Sequence, residues 1–175
     1  MTSPPRILII VRAGRNSIHR SWIWTINGLA DVAVSAYDDS DFSGDGARYV
    51  HAFVGGKFPG VMAFIERHPE VIDEYEYFWL FEDDLVLPFE SLQRISALLA
   101  RFRFVLSAPG LSYYSFFTWP LAVANSRFLF RGTDFVEVMM PIMSRAFLLA
   151  AMPAFNDNYT AWGHEWLWRK LLNEH

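Results

Sequence analysis

The chain has no cysteine in its 175 residues, which excludes disulfides and any cysteine-ligated zinc site. That absence neither demands nor excludes an oxidising compartment. Positive charge is also short: 15 Lys and Arg stand against 19 Asp and Glu, a net charge of −4. There is no surplus to hold a phosphate backbone, so nucleic acid is not an expected partner. Long hydrophobic runs are missing. The amino-terminal ILIIV is shorter than a signal-peptide core, and no stretch approaches the ~18 apolar residues of a membrane span. We therefore expect a soluble, cytoplasmic protein, with peripheral attachment to a membrane left open. Neither G-x-G-x-x-G nor G-x-x-x-x-G-K-[ST] occurs, which removes the dinucleotide and Walker fingerprints without removing nucleotides.

What is abundant is aromatic and apolar. Hydrophobic residues make up 53% of the chain and aromatics 17%, enough for one sizeable core, and the length suits a single domain over 1–175. The most telling stretch is YEYFWLFEDDLVLP, residues 75–88. An almost unbroken apolar run suits a central strand covered on both faces, and it ends in three consecutive carboxylates, Glu82, Asp83 and Asp84. Open α/β sheets bind ligands at the carboxyl ends of their strands. Adjacent ionised carboxylates repel, and a hard divalent cation such as Mg²⁺ or Mn²⁺ would relieve the repulsion. A solvated turn after the strand would relieve it equally.

In chain order, RILIIVR reads as a first buried strand. Residues 18–29 have helical spacing (Ile18, Trp22, Ile26, Leu29) that puts His19 and Arg20 on the solvated side. ADVAVSAY, 30–37, is a second strand, followed by the acidic loop DDSDFSGDG, which lacks EF-hand spacing and reads as solvated. Residues 59–68 look helical, and the nearby Lys57 reads by itself as surface. Helical periodicity returns at 88–102, and residues 104–108 are strand-like. GLSYYSFFT, 110–118, reads as core or edge strand in preference to a binding groove. FVEVMMPIM, 135–143, is strand-like and carries one carboxylate, Glu137; Pro141 makes it an edge or bent strand. Residues 144–151 form a short helix ended by Pro153. Asn156, Asp157 and Asn158 make a turn before a last helix from about Gly163, where His164 and Glu165 sit among Trp162, Trp166 and Trp168. Packing there would raise a carboxylate towards general-base range, although a plain amphipathic helix with its tryptophans in the core explains the pattern too. The expected fold is α/β with a mostly parallel central sheet.

These pieces, in order, resemble DUF707, a family of uncharacterised glycosyltransferase-like proteins, and more broadly the GT-A nucleotide-sugar transferases. Tyr37-Asp38, Gly56-Lys57, FWLFEDDL, FVEVMMPIMSR and NDNYTAWGHEWLW each match a family element, with Glu165 where the family usually has Asp. The resemblance implies a three-layer α/β/α sandwich and transfer from a nucleotide-sugar donor to a carbohydrate or other hydroxyl acceptor, with Mn²⁺ or Mg²⁺ as cofactor. Carried over, Asp84 and Glu82 become metal ligands, Glu82, Asp83, Lys57 and Asp38 nucleotide contacts, and Glu165 the catalytic base. Lys57 and Arg145 become secondary phosphate or acceptor contacts. GT-A enzymes generally take a further metal ligand, often His, from beyond the Trp-Gly motif; this chain ends at His175, too near the end for that role, so we expect it to be shorter than the family's working unit.

Other readings are a non-catalytic sugar- or nucleotide-binding relic, a metal-dependent phosphohydrolase and a purely structural protein. A dehalogenase-type phosphohydrolase wants a nucleophilic Asp first after the strand, where Glu82 stands.

Overall fold

The computed structural model describes residues 4–26, 28–156 and 160–174, with side chains to 172. The turn expected at Asp157 and Asn158 lies outside the described residues, as does His175.

A six-stranded sheet organises them. Its strands are β1 (Ile7–Ala13), β2 (Asp31–Ala36), β3 (Tyr49–Ala52), β4 (Tyr77–Glu82), β5 (Leu106–Ser107) and β6 (Ile142–Ser144), in the order β3-β2-β1-β4-β6-β5. The β1–β2, β1–β4 and β2–β3 pairs are parallel; β6 runs antiparallel to both β4 and β5. The expected mixed α/β class with a mostly parallel sheet therefore holds, and residues 77–82 form an interior strand with the acidic triplet at its carboxyl end.

The α-helices among the described residues are α1 (Lys57–Arg67), α2 (Val71–Glu74), α3 (Phe89–Phe102), α4 (Arg145–Ala151) and α5 (His164–Glu174). Strand alternation decides which face each one covers. Ile7, Ile9 and Val11 of β1 with Tyr77, Trp79 and Phe81 of β4 meet Trp22, Ile26, Leu92 and Leu99 on one side. Leu8, Ile10, Phe78 and Leu80 meet Phe58, Phe64, Phe147 and Trp168 from α1, α4 and α5 on the other. Truncating a fully buried Trp79 would cost about 3–5 kcal/mol.

Four expectations change. The described residues of 18–29 hold only a 3₁₀ turn, His19–Ser21, and successive turns, and His19 is fully buried. Its ring lies between Ser17 Oγ and Asp45 Oδ2, at 2.6 and 3.0 Å. The run 135–143 is strand only at its end, because its carbonyls are engaged elsewhere: Val138 and Met139 accept from Lys57, and Met140 from the Trp79 indole. β6 is interior, between β4 and β5, so Pro141 marks no edge. The stretch 110–118 is neither core nor regular strand: Leu111 alone is buried and bridges Val123, while Tyr114 and Phe116 stand in solvent. β3 is an addition that the sequence reading lacked.

One close approach fixes α1 on the sheet. Arg12, buried on the α1 face, donates to Ser35 Oγ at 2.7 Å and to the carbonyls of Phe53 and Gly55 at 2.8 and 2.9 Å. A Cβ at Gly60 would stand 2.4 Å from the Arg12 guanidinium carbon. That guanidinium is held on several sides, so it has nowhere to move. Gly60→Ala should therefore destabilise by about 1–3 kcal/mol through overpacking, against the ~1 kcal/mol gain that alanine brings to an open helical site. Chemical denaturation of the variant measures the difference, and a gain in stability would contradict the packing.

Candidate functional site

The carboxyl edge of the sheet gathers charged side chains from distant parts of the chain. Glu82, the last residue of β4, stands in register with Arg12 of β1 and points to the α1 face. There the Lys57 ammonium reaches Glu82 Oε1 at 2.8 Å and the carbonyls of Val138 and Met139 at 2.8 and 2.7 Å. Lys57 is thus not a surface residue; its side chain is 6% exposed. Burial pushes its pKa down, and the negative charges of Glu82, Asp84 and Glu137 work against that shift. With its donors committed to protein oxygens, Lys57 positions Glu82 and the 138–139 backbone; it does not reach out to a phosphate.

Asp83 is committed as well. Its Oδ2 accepts from the Gly14 amide at 2.9 Å and from the Tyr37 hydroxyl at 3.0 Å, and its carbonyl accepts from the Ile18 amide at 2.8 Å. Asp83 therefore ties the loop after β1 to the end of β2. Desolvation first, and then the hydrogen bond to Asp83, push the Tyr37 hydroxyl up to about 12. A phenol whose folded pKa is raised contributes stability fully present below its ordinary value near 10, and lost as pH rises through about 12. Ultraviolet titration should show one tyrosine ionising near 12 that disappears in Tyr37→Phe and falls towards 10 in Asp83→Asn. An Asp83→Asn curve that superimposes on that of the parent would show that the bond does not form.

Asp38 caps its own loop, accepting from the Arg15 and Ser40 amides at 2.8 and 2.9 Å, and bonding to Ser40 and Arg15 holds its carboxyl below the usual range. Asp84 differs from its neighbours. Desolvation, and behind it the like charges of Glu82 and Asp83, raise its pKa above 3.8. It is the strand-end acid whose charge is least compensated.

Two further acids close the group. Glu165, in the first turn of α5, is buried, and its Oε2 accepts from the Gly163 amide at 2.9 Å. Gly163 has φ 98°, so the chain enters α5 through a left-handed turn that favours glycine. The pKa of Glu137 is raised, by desolvation first and then by the negative charge of Glu165. Glu137 is visible in the sequence as the one carboxylate in an apolar run, while nothing local to Arg12 tells of the role it plays.

Arg145 lies elsewhere. It donates to the carbonyls of Tyr75 and Asp73 at 2.9 and 2.8 Å, at the amino end of β4, and so takes no part in this edge. That end also carries two clefts, one bordered by Trp24, Asp31 and Arg48, the other by Pro5, Arg6 and Tyr75. Their charges are already paired, Arg48 with Asp31 at 2.8 Å and with Glu74 at 2.9 Å. The crowded acids at the carboxyl edge are therefore the candidate site. Among the described residues no three His, Asp or Glu side chains converge to hold a metal ion. A cation fits this edge only if a ligand such as a diphosphate, together with water, supplies most of its oxygens, Asp84 being the protein group with charge to offer.

Ser17, His19 and Asp45 have the residue types of a nucleophilic triad. The two nearest amides cannot serve as oxyanion donors, since that of Ser17 bonds Gly14 O and that of Ile18 bonds Asp83 O. We read this array as a stitch holding the loop after β1. No family model, no curated protein and no solved structure matches the chain.

Proposed function

We propose that this chain is a glycosyltransferase-like protein of the GT-A and DUF707 type. It would bind a nucleotide sugar at the carboxyl edge of the sheet and transfer the sugar to a hydroxyl acceptor. The observation that carries this is the meeting of acids from three separate segments, Glu82–Asp84, Glu137 and Glu165, around the amino end of α1 and the buried Lys57. Lys57 answers Glu82 and two donors answer Asp83, which leaves Asp84 the least compensated acid, and a ligand that brings positive charge would answer it.

Mn²⁺ or Mg²⁺, when bound with the donor, would neutralise the diphosphate leaving group. Asp84 is the residue that would hold it, with Glu82, whose Oε1 is taken by Lys57, offering at most its other oxygen. Lys57 would keep Glu82 oriented, and Asp83 would keep the loop after β1 against the site. Glu165 would accept the proton of the acceptor hydroxyl, with Glu137 beside it, whose own pKa is raised by desolvation first and then by the charge of Glu165. Binding without turnover is the second reading, favoured by the Glu165 Oε2 bond to the Gly163 amide.

The test is release of nucleoside diphosphate from a panel of nucleotide sugars with Mn²⁺, with and without simple glycoside acceptors. Acceptor-stimulated release that falls about 10²–10⁴-fold in Glu165→Gln, while donor binding persists, supports transfer. Binding with no release identifies the non-catalytic form. Absence of both refutes the site.

A further inference from the structure

The 91–133 sector is unlike the rest of the chain. It contains Arg94, Arg101, Arg103, Arg127 and Arg131 and no Asp or Glu, although the chain as a whole is net negative. Large apolar side chains face solvent here too, as Trp24, Val54, Trp162 and Trp166 do elsewhere, but here they are the most exposed aromatics. From the Leu111–Val123 bridge one loop carries Tyr113, Tyr114 and Phe116, which are 79%, 95% and 99% exposed. The chain then leads on to Phe128, Leu129 and Phe130, all exposed. Aromatics and cations are interleaved there: Arg101 lies over the Phe102 ring at 5.1 Å, Phe102 packs on Phe130 at 4.7 Å, and Arg131 donates to Val123 O at 3.3 Å. Residues that could have formed a core are held outward, in a stretch whose charged side chains are all positive.

We infer that this sector is a docking surface for an anionic lipid bilayer, with the 112–121 loop entering the interface and the arginines meeting the headgroups. Tyrosine and tryptophan rings suit that boundary because one end is apolar and the other polar. Arginine near an anionic surface adds attraction of about 1 kcal/mol each. A second copy of the chain is disfavoured as the occupant, because a symmetric contact would set these arginines against their equivalents with no carboxylate inside the sector to pair them. No helix among the described residues is long and apolar enough to cross a membrane, so attachment would be to the surface.

The experiment is co-sedimentation of the 175-residue chain with vesicles of phosphatidylcholine alone and of phosphatidylcholine mixed with phosphatidylglycerol. The expected result is binding to the mixed vesicles only, weakened by salt. Tyr114→Ser with Phe116→Ser should lower the partition at least about tenfold by removing the inserting rings. Arg127→Glu with Arg131→Glu should lower it about tenfold or more. Both pairs are exposed, so unchanged melting curves will show that folding is intact. The inference is overturned by absence of binding to the mixed vesicles, or by binding that both variant pairs leave unchanged. Dimerisation in solution that the aromatic pair abolishes, without vesicle binding, overturns it equally.

Discussion

Lys57→Met should lower stability by about 3 kcal/mol, a fall in Tm of roughly 6–12 °C for a chain of this size, and should abolish measurable nucleotide binding. The ammonium is enclosed and bonds one carboxylate and two main-chain carbonyls. Methionine fills a similar volume but leaves Glu82 without its partner and both carbonyls without a donor. Breaking a buried pair in this way exceeds what the intact pair contributes relative to an apolar replacement of both members, because an uncompensated charge remains. Adding Glu82→Gln to Lys57→Met should therefore recover part of the loss. Circular-dichroism melting of the single and double variants measures this. A loss below about 1 kcal/mol in the single variant would mean that Lys57 is held less tightly than its three bonds require.

Asp84→Asn should do the reverse to stability while removing function. Desolvation and the neighbouring acids raise the folded-state pKa of Asp84, so its ionised form burdens the fold. The burden is absent below the ordinary value of 3.8 and fully present once pH has risen through the raised value. The variant should be as stable as the parent in acid and slightly more stable at neutral pH. Asp84 is exposed, so solvent screens its charge and the gain should stay within about 0.5 kcal/mol. Affinity for a nucleoside diphosphate in Mn²⁺ should nevertheless fall at least about tenfold, the low end of what losing even an outer-shell partner of a metal does. Denaturation against pH beside titration calorimetry separates the two effects.

The sheet was legible where strands are continuous apolar runs. β1, β2 and β4 follow from their side chains alone, as do α1, α3 and α4, because periodicity and burial agree there. Residues 18–29 misled because their apolar spacing is real: Trp22, Ile23 and Ile26 do cover the sheet. They are β-branched or aromatic, weak helix formers, and the Trp22 indole bonds Leu85 O, so the segment covers the same face by successive turns. β3, only YVHA, is too short to carry a period.

For the site, the acidic triplet was legible as a strand end, but what each acid touches was not. That Asp83 would serve Gly14 and Tyr37, and Glu82 would serve Lys57, depends on register between segments far apart in sequence. Lys57 read as surface because a lone lysine carries no local signal of burial; its acceptors come from residues 82, 138 and 139. Arg145 matched a motif in sequence and lies at the other end of the sheet, since β6 runs antiparallel to β4 and carries it away from the carboxyl edge.

Titration calorimetry of the unmodified chain with nucleoside diphosphates tests the central claim most directly, each of UDP, GDP, CDP and ADP being added with Mn²⁺ and again with chelator. We predict saturable binding of at least one of them that requires the metal and is lost in Asp84→Asn. Absence of binding for all four in Mn²⁺, or binding that neither chelator nor Asp84→Asn weakens, would contradict a nucleotide-sugar site at the carboxyl edge of the sheet.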